Sequence, residues 1–401
     1  MIMDILDYLA ERFIPLLSDF NIKYKRYFFD LVDFSDKLIG ILGPRGVGKT
    51  TFLLQYLKNL DLPISKKLYF SADSVETSDI SLFEIADGFA KNDGKILVID
   101  EIHKYPNFEK ELKQIYDFLP LKVIFSGSSA ITIENSKIDL SRRAVLYRVN
   151  GLSFREFLEL KTGKKFKPFK IEEILNNHKD IAYEIIQEIK PLSFFKEYLQ
   201  KGFYPFYFEN PNTYFNKLEG TINVAIEADL PFVFGIDIKN TIKLKKLVKL
   251  VCESEPFEIN ITKLAQKMEI DRATLYQYIN YLNLGNIFNI LKSKTKGDSI
   301  FVKPEKIYLH NTNLNYCYCE NQKIGTIRET FVVSQLMYFY NLEYPAKGDL
   351  IVDKKYIFEI GGKNKDFSQI KEIKENSYLI IDDIEVGNKR KIPIWLLGFL
   401  Y

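Results

Sequence analysis

Residues 38–57 read LIGILGPRGVGKTTFLLQYL, and this stretch decides the fold of the amino-terminal part of the chain. It begins as a short apolar strand, continues as a glycine-rich loop and ends as a helix with an apolar face. The loop from Gly43 to Thr50 matches the whole pattern G-x-x-x-x-G-K-[ST], in which backbone amides cradle phosphate oxygens. A strand, such a loop and a helix in this order predict a phosphate-binding site.

The residue types of the loop fit this chemistry. Glycines let the backbone bend until its N–H groups converge on phosphate. Lys49 can place its charge on the β- and γ-phosphates, which makes it a candidate catalytic residue, and the Thr50 hydroxyl can ligate Mg²⁺. The predicted nucleotide-binding residues are Gly43, Pro44, Arg45, Gly46, Val47, Gly48, Lys49, Thr50 and Thr51.

A second motif lies downstream, where four apolar residues, Ile96–Ile99, precede the carboxylates Asp100 and Glu101. A buried parallel strand that ends in Asp-Glu is the Walker B arrangement. In that arrangement Asp100 would hold Mg²⁺, usually through water, and Glu101 would act as the catalytic residue that polarises the attacking water.

Three more apolar segments, Lys67–Phe70, Lys122–Phe125 and Ala144–Val149, are predicted strands separated by helical or loop sequence. Alternating strands and helices predict an α/β fold with a parallel sheet, covered on both faces and binding ligand at the carboxyl ends of its strands. A polar residue of Ser126–Ser129 could contact the γ-phosphate or the lytic water. A serine-rich turn without such a role is an equally good interpretation.

Two other side chains near the predicted site have alternative interpretations. Arg143 precedes the fifth strand and could act as a catalytic finger on the γ-phosphate of a neighbouring subunit, which requires a homo-oligomer. The alternative is a surface pair of Arg142 and Arg143 or an internal salt bridge. His103 could sense nucleotide or substrate, but a single histidine more often has only a structural role.

Length and composition bound the rest of the chain. A chain of 401 residues predicts two or three domains, and a net charge of +3 confines any nucleic-acid contact to a local patch. Three cysteines do not form a disulfide framework, so we expect reduced thiols in a cytoplasmic protein. No apolar run approaches the roughly 18 residues that span a bilayer, and the acidic residues near the amino terminus do not fit a signal peptide.

The patterns along the chain divide it more finely than its length does, into four predicted domains: a P-loop core with an amino-terminal helical arm (1–150), a helical lid (151–237), a winged helix (238–310) and a nuclease-like domain (311–401). The lid opens with Ser153 as N-cap and Glu156 at the third helical position.

Residues 238–300 carry eleven Lys/Arg against six Asp/Glu, and they include a predicted helix-turn-helix. Its core pattern is Leu264, Ile270, Leu275, Ile279 and Leu282. A β-wing would follow at 287–302, with Lys292, Lys294 and Lys296. DNA contact is therefore predicted through residues 261–300, with these side chains facing the groove: Arg272, Thr274, Tyr276, Gln277 and Asn280. The alternative is a module that binds only protein.

In the last hundred residues, Glu329, Asp349 and Glu359 could converge on Mg²⁺ in a site of the restriction-endonuclease kind. Such a site expects a lysine two residues after the last acid, where this chain has Gly361. Either a displaced lysine, Lys363 or Lys365, substitutes for it, or the fold is kept without cleavage. We favour the inactive interpretation because the strand ends at Gly361.

With these motifs in hand, the chain resembles prokaryotic, often archaeal, AAA+-type ATPases with a winged helix and a carboxy-terminal nuclease-like domain. The resemblance rests on GPRGVGKTT, ILVIDEIHKYPNFEKELKQIYD, VIFSGSSA, LSFREF, FEIGGKNK and IPIWLLGFLY. The resemblance implies ATP binding and hydrolysis, a cytosolic location and a link to DNA or mobile elements, and we expect ATP and Mg²⁺ as cofactors. The primary hypothesis is an ATPase whose nucleotide state positions a DNA-binding winged helix. The alternatives are a nucleotide-dependent signalling scaffold and an ATP-gated nuclease.

Overall fold

The structure is a computed structural model that describes residues 2–77, 80–128, 140, 142–253, 260–293, 304, 306–373 and 375–401. The chain divides into two compact units, Met1–Asn150 and Gly151–Tyr401. Ser129, Lys294 and Lys296, for which the sequence suggested roles, lie outside the described residues.

The first unit alternates helices and strands along the chain. Its helices are α1 (Ile2–Asp19), α2 (Phe28–Leu31), α3 (Lys49–Asn59), α4 (Leu82–Lys91) and α5 (Phe108–Phe118). Its strands are β1 (Leu38–Gly43), β2 (Lys67–Ser71), β3 (Ile96–Asp100), β4 (Lys122–Ser128) and β5 (Val145–Arg148).

These strands form one parallel sheet in the order β2-β3-β4-β1-β5. The predicted parallel α/β core is therefore confirmed. Strands β1 and β3 are buried along their whole length, as expected of parallel strands covered on both faces. Because all the strands run the same way, the phosphate loop after β1 and the acids after β3 lie at the same edge of the sheet.

The predicted amino-terminal helical arm is present as α1, which packs on this core. Ile5, Leu6 and Leu9 are buried in one apolar cluster with residues of the sheet and with Leu82 and Ile85 of α4. The helix is therefore part of the first unit's core.

The second unit begins with helices and ends with strands. Its helices are α6 (Phe154–Thr162), α7 (Ile171–Glu188), α8 (Pro191–Lys201), α9 (Tyr214–Val224), α10 (Leu230–Phe234), α11 (Thr241–Glu253), α12 (Ile261–Met268), α13 (Arg272–Leu284), α14 (Thr312–Tyr318) and α15 (Ile324–Leu336). Its strands are β6 (Phe288–Ser293), β7 (Lys306–Leu309), β8 (Leu342–Tyr344), β9 (Leu350–Val352), β10 (Tyr356–Gly361), β11 (Ser377–Ile381) and β12 (Lys391–Pro393).

The described strands of this unit form a mixed sheet in the order β12-β11-β10-β9-β8-β6-β7. The hairpin of β6 and β7 joins the later strands because Lys292 of β6 pairs with Glu343 of β8. One sheet therefore runs across the boundary expected at 310/311. The proposed subdivision of residues 151–401 into three domains stays a prediction.

The predicted pair of short helices is present as α12 and α13. Asn260 and Asp271 cap their amino termini with side-chain hydrogen bonds, and Glu269 turns the chain between them with a left-handed φ of 55°. The predicted core residues are buried except Ile270, which is half-buried; the buried ones are Leu264, Leu275, Ile279 and Leu282. The expected tip of the wing lies outside the described residues.

The expectation that all three cysteines are reduced thiols is wrong for two of them. Cys252, in the last turn of α11, forms a disulfide with Cys319, just after α14, and their Cα atoms are 5.1 Å apart. The two residues are 67 positions apart in sequence, so only the packing of α11 on α14 brings them together. Cys317 is a half-buried free thiol whose pKa is raised by burial to about 11.

The closing segment 392–401 is buried. Strand β12 leads into a 3₁₀ helix, Ile394–Phe399, which contains the chain's single tryptophan, Trp395, fully buried. Among the helices that the structure describes, none combines the length and the apolar character needed to cross a membrane.

Candidate functional site

The phosphate loop depends on glycines for two different reasons. Gly46 and Gly48 have φ of 83° and 93°, the left-handed region that glycine adopts without strain. Gly43 is required by close approach instead, because a Cβ there would lie 2.4 Å from the backbone oxygen of Val149. The sequence predicted the need for glycine at 43 but not this neighbour.

Lys49 lies inside the curve of the loop. Its Nζ donates to the backbone oxygens of Gly43 at 2.9 Å and Pro44 at 3.0 Å, and the side chain is buried. Helix α3 begins at this residue, so its first N–H groups and its positive dipole end face the loop. The arrangement can hold an anion such as a phosphate.

Asp100 is the last residue of β3 and is only 2% exposed. Several hydroxyl groups surround its carboxylate. Its Oδ2 accepts hydrogen bonds from Thr50 Oγ1 at 2.6 Å and from the Tyr69 hydroxyl at 2.9 Å. Its Oδ1 accepts from Ser126 Oγ and from the Glu101 N–H at 3.0 Å. Thr50 and Asp100, the two predicted magnesium ligands, are thus brought into direct contact.

This donor set fits Mg²⁺. A hydroxyl and a carboxylate are the hard oxygen ligands that the ion prefers, and Thr50 lies in the first turn after the phosphate loop. Within the described residues no three Asp, Glu, His or Cys side chains are arranged to hold a metal. The remaining ligands would therefore be phosphate oxygens and water, as is usual for Mg²⁺ bound with a nucleotide.

The sequence pattern does not single out Tyr69, and it leaves the role of Ser126 open. Ser71 pairs with Asp100 across the parallel strands β2 and β3. Tyr69 lies two residues before Ser71, so strand alternation places the side chains of Tyr69 and Asp100 on the same face of the sheet. Burial and the adjacent Asp100 raise the pKa of Tyr69 far above its usual value, so Tyr69 stays a hydrogen-bond donor. Ser126 is fully buried and bonds to the carboxylate, so it does not belong to an exposed serine-rich turn.

Glu101 follows Asp100 with a left-handed φ of 53°. Its Oε2 lies 3.5 Å from Arg45 of the phosphate loop and 3.4 Å from His103 Nε2, and its side chain is 17% exposed. His103 is buried, and its Nδ1 accepts from the backbone N–H of Ser128 at 3.3 Å. The predicted catalytic acid is therefore in contact with the loop that would hold the phosphate.

Arg143 makes an internal salt bridge, which was one of the alternatives considered for this residue. Its guanidinium forms a two-pronged pair with Asp117 of α5, with distances of 2.8 and 3.1 Å. These hydrogen bonds hold the pKa of Asp117 below its usual value. A role in a neighbouring subunit would require this pair to open.

Arg26 is a second side chain that the sequence did not single out. It donates to the backbone oxygen of Val47 in the phosphate loop at 3.0 Å and to that of Asn150 at 2.9 Å. It therefore fixes the outer side of the loop to the end of the first unit.

In the second unit, the three acids predicted to bind metal are associated with two lysines, and we call these five residues the carboxylate–lysine cluster. Lys306 Nζ is fully buried, 2.9 Å from Glu329 and 3.8 Å from Asp349. Lys365 pairs with Glu359. Burial raises the pKa of Glu329 and of Glu359.

The strand β10 ends at Gly361, as predicted, and a Cβ there would lie 2.6 Å from Cγ of Lys365. The Lys365 stem therefore occupies the space in which a side chain at 361 would begin.

On α13, the residues predicted to contact DNA are not all available. Arg272 and Gln277 are exposed, and Tyr276 and Asn280 are half-buried. Thr274 Oγ1 donates to the Asp271 carboxylate at 2.6 Å as part of the helix cap. Thr274 thus has a capping role, and contact of these five side chains with DNA stays a prediction.

Comparisons with known proteins locate two matched regions. Residues 35–158 match a family described as an AAA domain, and residues 193–322 match a domain of unknown function, DUF8612. A curated relative, the uncharacterized protein MJ1637 of Methanocaldococcus jannaschii, is 28% identical over 444 residues and covers 99% of this chain and 93% of its own. The first match indicates a nucleotide-binding ATPase.

Among solved structures, the Saccharomyces cerevisiae Hsp104–ADP complex aligns with 62% of this chain at 16% identity and a TM-score of 0.26. PCH-2 of Caenorhabditis elegans aligns with 39% at 17% identity and a TM-score of 0.24. The alignments span 37% and 44% of those two chains.

Proposed function

We propose that this chain is a Mg²⁺-dependent ATP hydrolase. The observation that carries the proposal is the 2.6 Å contact between Thr50 and Asp100 beside the phosphate loop, with Glu101 next in sequence. A hydroxyl and a carboxylate placed together at a phosphate-binding helix terminus supply Mg²⁺ ligands where a triphosphate would need them.

In this proposal each residue has a separate task. The loop amides and Lys49 bind the β- and γ-phosphates, and Thr50 with Asp100 holds the ion. Bound Mg²⁺ supplies charge neutralisation on the phosphate oxygens. Glu101 accepts a hydrogen bond from the attacking water and orients it. Arg143 completes the site from a neighbouring subunit after leaving Asp117.

Two variants of the full chain test these tasks. Lys49→Ala should abolish ATP binding measured by calorimetry. Glu101→Gln should keep binding and lower kcat by at least about a hundredfold, because the general-base contribution is typically 10²–10⁴-fold. Lys110→Ala, an exposed lysine of the same unit, is the matched control and should behave as the parent protein. Normal turnover by the Glu101 variant would show that the water is activated elsewhere.

We further propose that nucleotide state positions α12 and α13 on DNA. The support is a capped helix pair with Arg272 and Gln277 exposed at the start of the second helix, within a segment of positive charge. Phosphate contacts release counterions, so loss of Arg272 and Lys294 should flatten the salt dependence of DNA affinity. An unchanged slope would favour the protein-binding scaffold instead.

An ATP-gated nuclease is the second candidate function. The placement of Lys365 over Gly361 favours it, because the displaced lysine reaches the last acid of the trio. The buried Lys306 between Glu329 and Asp349 opposes it, since its charge already compensates these carboxylates. The inactive interpretation therefore remains the one we propose. Metal-dependent DNA cleavage that disappears in Asp349→Asn would overturn it.

A further inference from the structure

The Glu101 side chain is held by two contacts of different kinds, and both fall on its Oε2. One partner, Arg45, belongs to the phosphate loop itself. The other partner, His103, belongs to the short turn that follows Glu101. The acid assigned to water activation is thus tied to the loop assigned to phosphate binding.

The histidine contact belongs to a fixed part of the site. His103 is 2% exposed, and its Nδ1 accepts from the Ser128 N–H at the end of β4. The other ring nitrogen, Nε2, lies 3.4 Å from Glu101 Oε2. The backbone of Glu101 is fixed as well, because its N–H donates to Asp100 at 3.0 Å and to Ser126 at 3.2 Å.

The arginine contact is looser. The Arg45 guanidinium lies 3.5 Å from Glu101, longer than a charge-assisted hydrogen bond at its best, and its side chain is 31% exposed. Arg45 is also the third residue of the loop whose amides and Lys49 would surround the phosphates. A triphosphate offers several negative charges and matches the planar fork of arginine, so it would compete with the single carboxylate for Arg45.

We propose that Arg45 is a positioning residue that exchanges partners between the Glu101 carboxylate and the bound phosphate. Without nucleotide, Arg45 holds Glu101 against the loop. With nucleotide, Arg45 moves to the phosphate, and Glu101 keeps only its His103 contact and is released towards the water. This inference rests on the proposed ATPase function, which it deepens.

If Glu101 and phosphate compete for Arg45, nucleotide affinity should respond to changes at these residues in a way that a purely structural Arg45 would not produce. Removing the competitor in Glu101→Gln should tighten binding of a non-hydrolysable ATP analogue by about threefold, because the Glu101 carboxylate then no longer competes with the phosphate for Arg45. Removing Arg45 should weaken binding by about tenfold, as expected for a lost charge-assisted contact. The threefold gain should be absent when both residues are changed.

The experiment is a double-mutant cycle on the full chain, measured by calorimetry with Mg²⁺ and the analogue. It uses the parent protein, Arg45→Gln, Glu101→Gln and the double variant. Arg45→Lys serves as the conservative variant and should recover part of the affinity, since it keeps the charge but loses the fork. It also keeps the test informative if Arg45→Gln does not fold.

Simple relief of repulsion between Glu101 and phosphate gives a different result. In that case the gain from Glu101→Gln persists in the Arg45→Gln background, and the inference is overturned. An Arg45→Gln protein with parental affinity overturns it as well. Absence of analogue binding by the parent protein removes the proposed ATPase function first, and this inference with it.

Discussion

Among single residues of the first unit, one buried carboxylate is oriented by several polar groups at once. Asp100 accepts from the hydroxyls of Thr50, Tyr69 and Ser126 and from one backbone N–H. Changing a group that orients a ligating carboxylate typically lowers metal affinity or activity by about 10–100-fold. The geometry of this acid is therefore fixed by groups from two neighbouring segments of the sheet, β2 and β4, from helix α3 and from the residue that follows β3.

A histidine in the second unit gives a pH-dependent stability. His310 is fully buried, and burial lowers its pKa to about 4, against an ordinary value near 6.5. Between these pH values the unfolded chain binds a proton that the folded chain does not. The contribution of His310 is therefore fully present above about pH 6.5 and falls by about 3 kcal/mol as the pH drops to about 4.

Denaturant unfolding between pH 7 and pH 4.5 measures this effect. Trp395, the single tryptophan, is buried in the second unit, so its fluorescence reports that unit alone. We expect the unfolding free energy of His310→Gln to depend less steeply on pH than that of the parent, with a difference in slope that corresponds to at most one bound proton. Equal slopes in the two proteins would show that other groups cause the acid sensitivity.

At the scale of elements, the disulfide ties the last turn of α11 to the chain just after α14. Closing a loop of 67 residues should stabilise the second unit by about 4 kcal/mol, because it restricts the unfolded chain. Reduction should lower the unfolding free energy, measured through Trp395 fluorescence, by about that amount. Cys252→Ser should show the lower stability and no response to reductant.

The third cysteine supplies the control for this prediction. Cys317→Ser should lose the same stability on reduction as the parent, because Cys317 is outside the bridge. Thiol titration of the denatured, unreduced parent should detect one reactive thiol among the three cysteines. Detection of three thiols would contradict the bridge.

At the scale of the whole molecule, the role of Arg143 depends on whether copies of the chain assemble. Within one chain the guanidinium is engaged by Asp117. An arginine finger that acts in a neighbouring subunit contributes roughly 10³–10⁵-fold to kcat in phosphoryl-transfer enzymes, whereas a surface ion pair contributes little to stability and nothing to the reaction. The two interpretations therefore differ by orders of magnitude in activity.

Assembly and rate can be measured on the same samples. We expect the mass in solution to rise when Mg²⁺-ATP is added, and Arg143→Ala to lower kcat by at least about a hundredfold with little change in KM. Adding Lys49→Ala protein, which carries an intact Arg143, should restore part of that rate. Activity of Arg143→Ala within twofold of the parent would leave the pair with Asp117 as its whole role.

The residue pattern by itself determined the parallel core and the phosphate loop. Both rest on local order: an apolar strand, glycines at fixed spacing and a lysine at a helix start are read along one stretch of chain. The acid pair after β3 was found in the same way, because parallel strands bring their carboxyl ends to one edge. The helix pair α12 and α13 followed from the helical spacing of its apolar core residues.

The contacts between side chains that are distant in sequence became visible only in the folded structure. Tyr69 reaches Asp100 through the register of two strands, Val149 explains Gly43, and Cys252 meets Cys319 across 67 positions. Packing also joined the hairpin of β6 and β7 to the later strands in one sheet. These contacts depend on how separate elements pack, and the spacing of two residues along the sequence does not give the distance between them in space.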